Sequence, residues 1–271
     1  MLKGAFYYVG QLQPDKLIVF DHGIGAGHYA YLKEIDCLAR NGYTVYSYDH
    51  TGCVATGGTG ILGFAQGIND LDHVLTALQN DPRFSSVPRK LIGHSWGGYA
   101  SMNVSALHPE VTHVVSLAGF LSARSLVEQY IPKAFLKYSG EVMDRERQHN
   151  PAYADMDARE SLQKSQTRLL HLQSRDDSKV KFELGTEPLS AALAERPHTE
   201  FLVVDHKNHD PQRTEAAAAA NAAMLADLQK QKKHLKTPAQ QQAFQAAYDW
   251  DQITQQDPIV WQKILTFLAE D

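Results

Sequence analysis

Short apolar runs alternate with segments of helical periodicity along most of this chain. The runs at 17–20, 44–48, 90–92, 113–117, 168–173 and 201–204 have the length and composition of strands, and 6–9 adds a candidate edge strand. Between the first two, residues 29–40 carry Leu32, Ile35 and Leu38 or Ala39 on one stripe, which Asn41-Gly42 closes. Residues 64–78 repeat the design, with Ile68, Leu71, Val74, Leu75 and Leu78 facing inward. Such alternation predicts an α/β fold: a mainly parallel central sheet with helices on both faces.

The alternation breaks at about 121–166, where far more chain separates two strands than a crossover needs. Helical segments are expected at 123–130, 132–138 and 155–164, with Pro132 opening the second and Ser139-Gly140 stopping it. The insertion reads as a small helical cap over the carboxyl edge of the sheet, or equally as a surface excursion. In a cap, Leu126, Tyr130, Phe135 and Met143 either line a substrate pocket, with Tyr130 and Phe135 as binding residues, or simply seal the cap. After the last strand, an extra helical region at about 211–250 includes 212–234 with five consecutive alanines. It is polar and Gln-rich and reads as a solvated hairpin. The final helix presents Val260, Trp261, Ile264, Leu265 and Leu268 to the sheet, so 1–271 forms a single domain.

A net charge of −5 argues against general affinity for nucleic acid or anionic membrane. The cluster Lys230-Gln-Lys-Lys233 suits a helix end, where cations complement the dipole. No apolar run approaches membrane-spanning length and the first ten residues do not resemble a signal peptide, so a soluble cytoplasmic protein is expected. Cys37 and Cys53 lack metal-ligand spacing and are expected to be reduced.

The chemistry centres on Gly93-His94-Ser95-Trp96-Gly97-Gly98, which joins a strand to a helix. A serine in G-x-S-x-G at such a junction is presented as a nucleophile. The pentapeptide alone recurs by accident in roughly one chain in ten at ordinary Gly frequencies, so partners are required. A serine needs a histidine to take its proton and an acid to orient that histidine, both placed after later strands. The strand at 168–173 leads to Asp176 and Asp177; Asp177 is preferred because Val180 anchors the next helix to the core, and a turn or capping role is the alternative. The strand at 201–204 leads to His206 and His209, and His209 sits immediately before Asp210-Pro211, a helix start. A metal pair at His206 and His209 lacks further ligands nearby, and neither metal nor cofactor is expected. Oxyanion donors are expected from the N–H of Trp96 and of Ile24, or Gly25, in the loop Asp21-His-Gly-Ile-Gly-Ala-Gly27. That loop matches neither dinucleotide-binding nor P-loop patterns.

Taken together, His22-Gly23, Asp49-His-Thr-Gly52, Gly93-His-Ser-Trp-Gly97, Asp177 and His209 resemble the α/β-hydrolase superfamily over nearly the whole chain, most of all its small bacterial esterase and lysophospholipase-like members. The resemblance implies an acyl-serine mechanism with Ser95, His209 and Asp177 as triad and Ile24 and Trp96 as oxyanion hole. Two features depart from the family: the sheet begins late, and the helical region after His209 is longer than usual. The expected activity is carboxylic ester hydrolysis on a small-molecule acyl substrate. Thioester or peptide cleavage, acyl transfer and a non-catalytic receptor are the alternatives.

Overall fold

The structure, a computed structural model, describes residues 2–270. Among the described residues, seven strands form its sheet: β1 (Lys3–Tyr7), β2 (Leu17–Asp21), β3 (Thr44–Asp49), β4 (Arg89–His94), β5 (Val111–Leu117), β6 (Arg168–Ser174) and β7 (Thr199–Val204). Their order is β1-β3-β2-β4-β5-β6-β7, with β1 antiparallel and every other pairing parallel. The edge strand lies at Lys3–Tyr7 rather than 6–9, because Tyr7 pairs with Val45 at the start of β3 and leaves Tyr8 and Val9 exposed.

The helices are α1 (Leu32–Arg40), α2 (Gln66–Asn80), α3 (Trp96–Val104), α4 (Ala123–Tyr130), α5 (Ser139–His149), α6 (Ala158–Lys164), α7 (Thr186–Ala192), α8 (Glu215–Gln231), α9 (Pro238–Ala246), α10 (Trp250–Ile253) and α11 (Pro258–Ala269). Strand alternation divides the core in two. Leu17 and Val19 of β2 enter the layer covered by α2, α3, α6 and α7, whereas Ile18 and Phe20 enter the layer covered by α1 and α11. Among the described residues, no helix is long and apolar enough to cross a membrane.

The insertion between β5 and β6 holds α4, α5 and α6. Ser139-Gly140 does not stop a helix there: a 3-10 helix over Lys133–Tyr138 runs straight into α5. Burial of Met143 against Ala123 and Val127 supplies the tertiary contact that overrides the local stop signal. The Glu146 carboxylate accepts from the N–H groups of Phe64 (2.6 Å) and Ala65 (3.2 Å), and Asn150 donates to Leu62 O (2.9 Å). These bonds dock the insertion on the segment that opens α2.

Helix α8 begins later than Asp210-Pro211 suggests. Thr214 caps it, accepting from Ala217 N–H at 3.2 Å, while the Asp210 carboxylate accepts from Asn221 Nδ2 at 2.7 Å and faces Arg213 at 3.4 Å. The excursion from α8 to α10 leaves and rejoins the domain at one point. Arg213 bridges Gln256, Thr214 N–H donates to Gln255 O (3.1 Å), and Asp257 N–H donates to Gln212 O (3.0 Å). Asp257 then caps α11, accepting from Ile259 and Val260 N–H.

Glu146→Ala leaves two backbone donors without their acceptor. Because an unsatisfied buried group costs about 1–3 kcal/mol, urea unfolding should show a loss of about 2 kcal/mol or more, with a smaller loss for Glu146→Gln.

Candidate active site

Ser95 joins β4 to α3 at φ 54°, ψ −107°, a conformation that L-residues rarely adopt. Two glycines make the geometry possible. A Cβ on Gly93 would stand 2.1 Å from Gly97 O, and one on Gly97 would stand 2.2 Å from Asp21 O. Ser95 is fixed by its own N–H, which donates to Leu117 O (2.7 Å), and by its carbonyl, which accepts from Tyr99 N–H (3.0 Å). Trp96 heads α3, so its N–H has no acceptor within the helix. Its indole donates to Phe64 O at 2.6 Å, linking the turn to the segment on which the insertion docks.

In the loop after β2, Gly23 N–H donates to Tyr31 Oη (3.1 Å) and Ala26 N–H to Gly23 O (3.3 Å). Ile24 N–H, between them, makes no hydrogen bond among the described residues. Gly25 adopts φ 74°, which gives the loop its turn.

Asp177 follows β6 and His209 follows β7, so both reach the sheet edge on which Ser95 stands. His209 Nδ1 lies 2.9 Å and 3.0 Å from the two Asp177 oxygens. The Asp177 side chain is wholly buried and also accepts from Lys179 N–H (2.8 Å), Val180 N–H (3.0 Å) and Gln173 Nε2 (3.1 Å). The same carboxylate therefore shapes its own turn and receives the imidazole. Asp176 instead accepts from Ser174 Oγ and Asn208 N–H, which fixes the β7 loop, and His206 is exposed.

His94, within the pentapeptide but without a role assigned from sequence, ties these parts together. Its Nδ1 accepts from Tyr31 Oη (2.8 Å) and its Nε2 donates to His209 O (2.8 Å). Burial lowers its pKa, and the neighbouring His209 pushes the same way, so the ring is neutral and can accept at one nitrogen while donating at the other. One imidazole thus links the glycine loop, the serine turn and the backbone of His209. The signal for it in the sequence was only its place beside Ser95, because Tyr31 is brought in by the fold.

Tyr130 is 59% exposed, with its hydroxyl on Lys179 O, and Phe135 is 55% exposed beside Tyr138. Neither lines the large cleft beside His209. That cleft, of about 1180 Å³, lies between residues 26–33 and helices α8 and α10, and reaches His94 and His209. The expected solvated hairpin is one of its walls.

The sequence profile of the serine aminopeptidase S33 family matches residues 12–250. The chain belongs to this family. As an S33 protein it is a serine hydrolase with the α/β-hydrolase fold. No curated protein matches it. Solved structures share the fold at low identity. An esterase of Pyrococcus furiosus is 19% identical with TM-score 0.55, over 71% of this chain and 74% of that one. A monoacylglycerol lipase of Paleococcus ferrophilus is 17% identical with TM-score 0.55, over 78% and 91%. The Butyrivibrio proteoclasticus protein Est1E, with ferulic acid bound, is 12% identical with TM-score 0.56, over 77% and 87%.

Beneath the serine turn, this S33 domain buries a charged histidine. His50 Nε2 lies 2.5 Å from Asp21 Oδ1, an ion-pair contact without hydrogen-bond alignment, and its Nδ1 lies 3.2 Å from Asp70 Oδ2. Burial opposes the charge, but the Asp21 and Asp70 carboxylates outweigh it and hold the pKa up to about 9. His22 and His171 go the other way: burial, aided at His22 by the charge on His50, brings both down to about 4.

These shifts set the pH dependence of stability. In the unfolded chain each histidine titrates near 6.5. Between about 6.5 and 4, the unfolded chain binds protons that folded His22, His94 and His171 do not. Stability should therefore fall as pH drops through that window, by up to about 1.4 kcal/mol per pH unit for each histidine. Folded His50 holds a proton that the unfolded chain releases, so its contribution is complete below about 6.5 and is lost as pH rises through about 9. Urea midpoints measured from pH 4.5 to 9.5 should peak near neutrality and decline on both sides.

Proposed function

We propose that the chain hydrolyses carboxylic esters through an acyl-Ser95 intermediate. The observation that carries this reading is the close approach of both Asp177 oxygens to His209 Nδ1 on the edge where Ser95 is held at positive φ. With the proton on Nδ1, Nε2 is the base that takes the Ser95 hydroxyl proton. Ser95 Oγ bonds to the carbonyl carbon, the N–H groups of Ile24 and Trp96 receive the oxyanion, and His209 passes the proton to the departing alkoxide. Water then attacks the acyl-serine, giving a proton to His209. Release of the acid returns that proton to Ser95 Oγ.

Peptide cleavage at a free amino terminus, the activity in the family's description, would use the same steps but requires a carboxylate for the substrate ammonium. Among the described residues, the cleft beside His209 is lined by Lys33, Lys179, Arg213 and Lys232 and by one acid, Asp210. Asn221 and Arg213 already occupy Asp210. This charge balance disfavours a substrate ammonium and so favours an ester over an amino-terminal peptide bond, in keeping with the esterase and lipase among its structural relatives.

A fluorophosphonate probe should label Ser95, with labelling and turnover abolished in Ser95→Ala; undiminished labelling of that variant would locate the nucleophile elsewhere. His209→Ala should lower kcat by roughly 10⁴-fold or more, whereas His206→Ala keeps wild-type turnover. The opposite pattern exchanges their roles. Tyr31→Phe retains the ring but unfixes His94, so kcat should fall on the order of tenfold with a smaller change in KM.

A further inference from the structure

The cleft beside His209 is a built site. Glu34 of α1, wholly buried, faces Arg213 at 3.7 Å and accepts from Gln212 Nε2 at 3.2 Å, which anchors the base of the α8 excursion. Lys33 pairs with Asp251 at 2.7 Å and joins the far wall, α10, to α1. Between these anchors one part of the lining is apolar. Tyr29, Leu32, Leu225 and Trp250 are 60, 43, 45 and 44% exposed, and all four face the same space, with Met224 and Leu228 between them. Large apolar side chains left uncovered around a cleft of ligand size indicate that something apolar covers them.

The position of the cleft says which part of a substrate that is. It is lined by His94 and His209 but by neither Ser95 nor Asp177, so of the three proposed triad residues it meets the histidine alone. In acylation the group that must lie against the histidine is the leaving oxygen, because His209 protonates it as the bond from the carbonyl carbon to that oxygen breaks. We infer that the cleft between α1, α8 and α10 binds the alcohol part of the ester, and that this alcohol carries an extended alkyl or aryl group.

This inference rests on the esterase reading and adds to it a substrate class, esters of apolar alcohols. It also divides the catalytic cycle. The alcohol has departed before water attacks the acyl-serine, so the cleft acts on acylation and has no part in deacylation.

The test uses two ester series, acetates of alcohols from methyl to octyl and methyl esters of acids from acetic to octanoic. Wild-type kcat/KM should climb along the alcohol series by up to about fourfold per methylene. Leu225→Asp places a charge on the exposed wall and Ala222→Trp fills the cleft, and thermal unfolding verifies that each variant folds. Both should flatten the alcohol series while leaving the acid series and the deacylation rate of a pre-formed acetyl-enzyme unchanged. Variants that flatten only the acid series would assign the cleft to the acyl chain and overturn the inference, as would variants that change neither. A loss along the acid series in Phe135→Ala, with the cleft variants unchanged, would move recognition to the β5–β6 insertion and overturn it as well. Calorimetry of 1-octanol binding to Ser95→Ala separates this inference from the reaction itself. Octanol bound by Ser95→Ala and lost on adding Leu225→Asp supports the cleft even if no ester turns over; no binding overturns it.

Discussion

Everything at the carboxyl edge of the sheet depends on how closely the backbone packs around Ser95. The serine is held at positive φ because Gly97 lies against the backbone of Asp21 and Gly93 lies against Gly97, with no room for a methyl group at either contact. That packing joins β2, β4 and α3 at one point. The strain at Ser95 is local, but the structure that sustains it is the buried centre of the sheet, where Ile18, Val19, Leu91 and Ile92 are fully enclosed. A rigid centre allows an unfavourable backbone conformation to persist.

Polar ties extend outward from that point. His94 reaches the glycine loop through Tyr31 and reaches the β7 loop through the carbonyl of His209. Trp96 reaches Phe64 O, and Glu146 holds the N–H of the same Phe64, so the β5–β6 insertion is coupled to the turn through one residue. None of these bonds involves the Ser95 hydroxyl or the His209 ring. Their effect is to limit the relative movement of loops that come from four different strands, which is the condition for preorganised catalysis.

The parts of this arrangement that were legible in the sequence are those encoded locally. Strand-length apolar runs and amphipathic stripes gave the sheet and the helices that cover it, and 123–130 matches α4 residue for residue. The choice of Asp177 over Asp176 could be argued from Val180, and in the structure Asp177 meets His209 while Asp176 holds Asn208. What sequence reasoning missed depends on distant partners. Ser139-Gly140 reads as a stop until Met143 finds Ala123 and Val127. Asp210 reads as a helix cap until Arg213 and Asn221 claim its carboxylate. The alanine-rich helix reads as solvated because its low amphipathicity hides that one side encloses a cleft. His50 carried no periodic signal at all, and its charge follows from two carboxylates delivered by β2 and α2.

The excursion between His209 and α11 has both ends fastened to each other, by the bridge from Arg213 to Gln256 and the backbone bonds on either side of it. Such a joint makes the segment a cassette. Its length and composition can drift through insertion, deletion or recombination while the strands, the serine turn and the closing helix keep their register. A change confined to this segment therefore leaves in place the strands that deliver Ser95, Asp177 and His209 to one edge.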